Sequence, residues 1–231
     1  MAINLQKGQT IDLRKNSGAG GAGAASDFDL SQVTIGLGWD VRKKSSGGLF
    51  GSLFGKKEEE YDLDALAFLL DSNGKVASMG QTVRMQNGQE LGLQGSDIIF
   101  FNNLRHPSGQ IWLTGDNRTG AGDGDDEQII VRLDTLDKRY QRIIFIVTIY
   151  GGRQKGQNFG MIDNAYIRAA DGRGKEIAKY SLSGDATFSN KHSLVFAEAY
   201  RHNDTWKFRA LGEPHDTDNF VDILRNYLYT A

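Results

Sequence analysis

The chain has 231 residues, of which 39% are hydrophobic and 24% charged, with 29 glycines, two prolines and no cysteine. That length and apolar share describe a globular chain with one core, and the glycine excess favours strands joined by tight turns over a helix bundle. With 27 Lys and Arg against 29 Asp and Glu the net charge is −2, so nucleic acid is not an expected partner, and the lack of cysteine excludes disulfides, thiolate metal sites and cysteine nucleophiles.

In chain order, Met1 to Lys7 show no basic stretch followed by an apolar one, and apolar runs such as 143–147 are far short of the ~20 residues that span a bilayer. A soluble cytoplasmic protein is expected. The glycine-rich stretch 15–26 contains Gly18-x-Gly20-x-x-Gly23, formally a dinucleotide fingerprint, but a strand and not a helix follows it. Val33, Ile35, Leu37 and Trp39 then alternate with Thr34, Gly36 and Gly38, the period of two that turns one strand face into a core.

Similar runs predict strands at 63–70, 97–101, 110–113, 128–133, 142–149, 159–169, 176–182, 193–200 and 205–211, separated by turn signals such as Asn73-Gly74, Asn87-Gly88 and Asp171-Gly172. The spacing predicts an all-β fold, a β-sandwich of two mixed or antiparallel sheets, as a single domain over residues 1–231. Two segments carry the helical period instead. Phe220, Ile223, Leu224, Tyr227 and Leu228 predict a C-terminal amphipathic helix with Thr217 or Asp218 as N-cap, and 133–140 predicts one short helical turn. Residues 42–60, RKKSSGGLFGSLFGKKEEE, have no packing period and read as a flexible insertion. Their exposed Leu and Phe beside lysines suit a peripheral membrane or partner contact.

The most informative stretch is 115–127, GDNRTGAGDGDDE, in which Asp116, Asp123, Asp125, Asp126 and Glu127 face a single Arg118 and leave a charge of −4. Carboxylates a few ångströms apart repel by about 1 kcal/mol per pair even in water, so a compact loop here calls for a cation. Gly115, Gly120, Gly122 and Gly124 let carbonyl oxygens turn inward, and Asn117 and Thr119 add neutral oxygens. An oxygen-only set of this kind suits Ca²⁺ better than Zn²⁺, Cu²⁺ or Mg²⁺, although the spacing is not that of an EF-hand. Asp62 and Asp64 share one strand face with Leu66, Phe68 and Leu70, so that two carboxylates at a core rim either complete the loop's shell or form a second site.

Together Gly38-Trp39-Asp40, Asp62-Leu63-Asp64-Ala65, Asn102-Asn103-Leu104, the acidic loop, Gly156 to Gly160, Asn164 to Arg168 and Trp206 to Ala210 resemble the TerD family of bacterial tellurium-resistance and stress proteins. The resemblance implies a cytoplasmic, non-enzymatic Ca²⁺-binding sandwich that holds two ions and works with other tellurite-resistance proteins. Carried over by position, it implies Asp62, Asp64, Asp116, Asn117, Thr119, Gly122, Asp123, Asp125, Asp126 and Glu127 as metal ligands. The insertion after Gly-Trp-Asp resembles that of the TerZ-like branch. The rival readings are a Ca²⁺-dependent scaffold for a protein or metabolite at the inner membrane surface, using Asn102, Asn103 and Arg168, and a metal-dependent hydrolase. For the latter, His106, His192, His202 and His215 sit in no catalytic motif and read as surface residues.

Overall fold

A computed structural model of the chain describes residues 3–4, 6–13, 28–41, 61–114, 124–181, 186–203 and 205–230. The stretch 15–26, the insertion 42–60 and loop residues 115–123 lie outside them. The strands are β1 (Ile3–Asn4), β2 (Thr10–Asp12), β3 (Val33–Val41), β4 (Leu63–Leu70), β5 (Gln81–Arg84), β6 (Glu90–Gln94) and β7 (Ile98–Ile99). They continue as β8 (Ile111–Thr114), β9 (Glu127–Val131), β10 (Arg142–Ile149), β11 (Ile162–Ala170), β12 (Glu176–Ser181), β13 (Ser193–His202) and β14 (Thr205–His215). Two six-stranded sheets form, ordered β1-β12-β11-β3-β9-β8 and β2-β14-β13-β10-β4-β7, with β5 and β6 as a separate hairpin. The pairing is antiparallel except for β1 with β12. The expected mixed and antiparallel sandwich is therefore present.

The alternation in β3 does what its period requires. Val33, Ile35, Leu37 and Trp39 are buried between the sheets, where they meet Leu63, Ala65, Ala67 and Leu69 of β4 and Phe145, Val147 and Ile149 of β10. All eight residues of β4 are buried, because the other face of this strand is covered as well. Leu66, Phe68 and Leu70 join Ile144, Ile146, Val195, Ile223 and Leu224 in a second apolar cluster. Burial on both faces explains why β4 reads as a continuous apolar run rather than a half-polar one.

The cover on that second face is the C-terminal helix, α2 (Phe220–Leu224), which follows α1 (Gly152–Lys155) in the chain and continues as a 3₁₀ turn over Arg225–Tyr227. The apolar positions lie as expected, with Phe68 edge-on to Tyr227 at 5.8 Å between ring centroids. The N-cap is Asn219 rather than Thr217 or Asp218, since its side chain accepts from the Val221 N–H at 3.1 Å. Asn219 is the residue whose carbonyl oxygen faces the first free N–H groups of the turn.

The helical turn expected at 133–140 is absent, and the segment is a series of turns. Leu133, Leu136 and Tyr140 are buried at a helix-like spacing, but their carbonyls are claimed by distant side chains. Trp206 Nε1 donates to Leu133 O at 2.8 Å, and Arg201 donates to Leu136 O at 2.6 Å and to Tyr140 O at 3.0 Å. Carbonyls taken by β13 and β14 are not available for a local helical ladder. The β5–β6 hairpin lies outside the expected strands, because every residue of β5 is exposed and shows no apolar alternation.

A carboxylate hinge at the end of the acidic loop

Of the ten residues expected to ligate metal, Asp116, Asn117, Thr119, Gly122 and Asp123 lie outside the described residues. Of the other five, Asp125, Asp126 and Glu127 show how the chain leaves the loop and enters β9, while Asp62 and Asp64 lie at the start of β4. Leu37 is paired with Glu127 and Gly36 with Gln128 in the β3–β9 ladder. That ladder is extended backwards by Asp126, whose N–H donates to Leu37 O at 2.8 Å while its Oδ2 accepts from the Trp39 N–H at 2.9 Å. Trp39 is itself fixed, buried with its Nε1 donating to Tyr61 O at 3.2 Å.

Glu127 ties the two sheets together. Its side chain is buried, and Oε2 accepts from the Ala65 N–H at 2.6 Å. On that edge of β4 the neighbouring strand β7 pairs only with Ala67 and Phe68, so at Ala65 the glutamate replaces a missing strand as acceptor. An unanswered buried N–H there would cost about 1–3 kcal/mol. Asp64 is also buried and lies in register with Thr148, but it belongs to the face of β4 that carries Leu66 and Phe68. The hinge thus reaches the Asp62-x-Asp64 segment through the Ala65 backbone, with the Glu127 and Asp64 side chains on opposite faces. Asp62 is half-buried, and its carbonyl accepts from the Tyr150 N–H at 2.8 Å.

Asp125 lies on the outer face of the first sheet in a bidentate ion pair with Arg168, at 2.7 Å from Nε to Oδ1 and 2.8 Å from Nη2 to Oδ2. Gln128 Nε2 donates to Oδ2 at 3.2 Å, and the Tyr166 hydroxyl lies 2.9 Å from Gly124 O and 3.2 Å from Asp125 Oδ1. The bond to Asp125 raises the Arg168 pKa above its ordinary value. Burial, with Asp125 beside it, pushes Tyr166 up to about 12.

Asp126 is electrostatically strained. Burial raises its pKa, the Trp39 N–H opposes the shift, and the nearby Asp40 and Asp125 raise it further. A carboxyl raised in the fold makes the folded state less stable as pH rises through the window above its unfolded value, and a bound cation offsets that cost by favouring the charged form. Asp40 is paired across the ladder with Asp163 and accepts from Asn164 Nδ2 at 2.8 Å, Asn164 having φ +51° within the irregular start of β11. Asp40, Asp163 and Asn164 are not among the expected ligands, although Asp40 and Asn164 stand in the motifs that carry the resemblance. Among the described residues no three acidic or histidine side chains converge as a metal site. The donors grouped here are all oxygens, which fits a hard cation and not a thiophilic one.

His106 is buried and not at the surface as expected: its Nε2 lies 3.0 Å from Asp97 Oδ1 and its Nδ1 2.8 Å from Ser108 Oγ. The order resembles a serine–histidine–aspartate relay, but the N–H groups around it are already used. Ser108 N–H donates to His106 Nδ1, Gln110 N–H to Ser108 Oγ and Gly109 N–H to His106 O. None of these three is left to hold an oxyanion. His192 and His215 are half-buried, burial lowering the His215 pKa, and His202 is exposed. Asn103 is buried too, donating to Ile98 O at 2.6 Å, and so braces the turn before β8 rather than facing a ligand.

A two-sheet sandwich whose glycine-rich acidic loop is anchored at the meeting of both sheets describes a class of fold and site. The TerD domain profile matches residues 1–227, and the chain belongs to that family. It is 54% identical over 228 residues to the tellurium resistance protein TerX of Serratia marcescens, covering 99% of this chain and all of that one. It is 38% identical over 229 residues to the stress response protein SCP2 of Bacillus subtilis strain 168, with 99% and 100% covered. The crystal structure of a homologue of telluride resistance protein (TerD), SCO6318 from Streptomyces coelicolor A3(2), shares the fold. The TM-score is 0.57 at 22% identity, over 83% of this chain and 94% of that one. Among the described residues no helix is long and apolar enough to cross a membrane.

Proposed function

We propose that this chain is a cytoplasmic, non-catalytic Ca²⁺-binding protein of tellurite resistance and the general stress response, one of a set of tellurite-resistance proteins that act together. The observation that carries the reading is the hinge Asp125-Asp126-Glu127, three successive carboxylates set by backbone and side-chain donors at the end of a loop that carries Asp116, Asn117, Thr119, Gly122 and Asp123. Asp126 and Glu127 would hold the ion together with the loop oxygens, and Asp62 and Asp64 would serve a second ion on the far side of Ala65. A bound Ca²⁺ supplies charge neutralisation and a fixed loop shape. The chain's own part is to hold the hinge in place before the ion arrives.

The reading predicts a stabilisation that depends on the ion. Because a ligand that binds only the folded state adds RT ln(1 + [L]/Kd), Ca²⁺ at about 100 times Kd should add roughly 2.7 kcal/mol to the unfolding free energy. Thermal unfolding after chelation and after Ca²⁺ readdition measures it. Unchanged melting curves contradict the proposal.

A further inference from the structure

Resting on the calcium reading above, we propose that Asp125 is the anchor of the acidic loop and not a ligand, and that Arg168, assisted by Tyr166, is the positioning residue that sets Asp126 and Glu127 for the cation. Both oxygens of Asp125 are held in the guanidinium fork, with Gln128 and Tyr166 as further donors, and its side chain is 0% exposed against 30% for Arg168. A carboxylate engaged in this way presents its charge to the arginine and not to an incoming ion.

The sheet is shaped to receive it. Arg168 of β11, Gly36 of β3 and Gln128 of β9 are in register across three adjacent strands, and the Asp125 carboxylate lies in the trough that Gly36 leaves. A Cβ on Gly36 would stand 2.1 Å from Asp125 Oδ2, and one on Gly38, the next outward position of β3, 2.6 Å from the Tyr166 ring. The two glycines that alternate with the core residues of β3 are therefore the floor of a latch. With Asp125 closed into it, the next residue meets Leu37 and Trp39 and the one after meets Ala65.

The proposal has a sign that simple charge counting does not share. An arginine near a cation site repels the cation, so its removal should tighten binding if position were irrelevant. Loss of an outer residue that orients ligands instead weakens binding, typically tenfold or more. The full-length chain is titrated with Ca²⁺ by calorimetry as wild type, Arg168→Gln and Tyr166→Phe, and amide exchange is followed without metal over 124–127 and, as a reference, over β10 and β13.

Arg168→Gln should weaken binding about tenfold and Tyr166→Phe severalfold, with faster exchange at 124–127 and unchanged exchange in the reference strands. Equal or tighter binding in both variants overturns the proposal. Should Arg168→Gln fail to fold, Tyr166→Phe decides alone, weaker binding supporting the latch and unaltered binding refuting it. No binding heat from the wild type refutes the calcium reading and the positioning role with it, while the exchange comparison still shows whether Asp125 anchors the hinge.

Discussion

Asp97→Ala is expected to destabilise the fold by about 3–5 kcal/mol, because it leaves several buried donors without an acceptor at once. Oδ1 of Asp97 accepts from the Tyr140 hydroxyl at 2.6 Å and lies 3.0 Å from His106 Nε2, while Oδ2 accepts from the Ser78 N–H at 2.9 Å. The network joins β7, the turn before β8 and the segment before β10, and its Asp97, His106 and Tyr140 members are buried. Burial alone would raise the Asp97 pKa, but the bonds from His106, Tyr140 and Ser78 outweigh it and hold the carboxyl below its ordinary value.

The pH dependence follows from that direction. A carboxyl depressed in the fold contributes stability above its unfolded pKa of about 4, and the contribution is lost as pH falls through the lower folded value. Asp97→Asn should therefore be less stable than wild type at pH 7, with the gap narrowing below about pH 4. Urea unfolding of both proteins between pH 2.5 and pH 7 checks this. A gap that stays constant over the range would assign the effect to packing rather than to the carboxylate.

Glu127 separates structure from ion binding when two substitutions are compared. Glu127→Ala removes the acceptor of the Ala65 N–H and leaves a void between the sheets, at a cost of about 2–4 kcal/mol. Glu127→Gln keeps an oxygen acceptor at the same reach and should cost under about 1 kcal/mol. On the proposed calcium reading both remove a charged ligand, so both should weaken Ca²⁺ binding about tenfold or more. If Glu127→Gln titrates like wild type, the glutamate serves only the Ala65 hydrogen bond, and the ion is held elsewhere in the loop.

Burial pattern decided how much of this was legible in the sequence. β3 and β4 announce themselves, one by alternation and the other by an unbroken apolar run, because both serve the core. The β5–β6 hairpin serves no core and gives no pattern. The 133–140 segment has the right apolar spacing for a helix, yet its carbonyls go to Arg201 and Trp206, partners more than sixty positions away that no local reading can see. His106, next to Pro107 in a polar stretch, has the local signature of a surface turn, and only the distant Asp97 and Tyr140 explain its burial.

The site was legible in part for the same reason. The carboxylates and glycines of 115–127 mark an oxygen-donor loop by composition alone. That Asp125 belongs to Arg168 requires the register of three strands, and that Glu127 answers Ala65 requires knowing where β7 ends. Gly36 and Gly38 look like ordinary outward positions until the Asp125 carboxylate is placed over the first and the Tyr166 ring over the second.

Calorimetric titration of the chelated wild-type protein with Ca²⁺, and separately with Mg²⁺, tests the central claim most directly. Saturable binding of Ca²⁺, with Mg²⁺ weaker at equal concentration as expected of a shell rich in protein oxygens, is the predicted result. Absence of Ca²⁺ heat in a protein that unfolds cooperatively, or equal binding of the two ions, would contradict it.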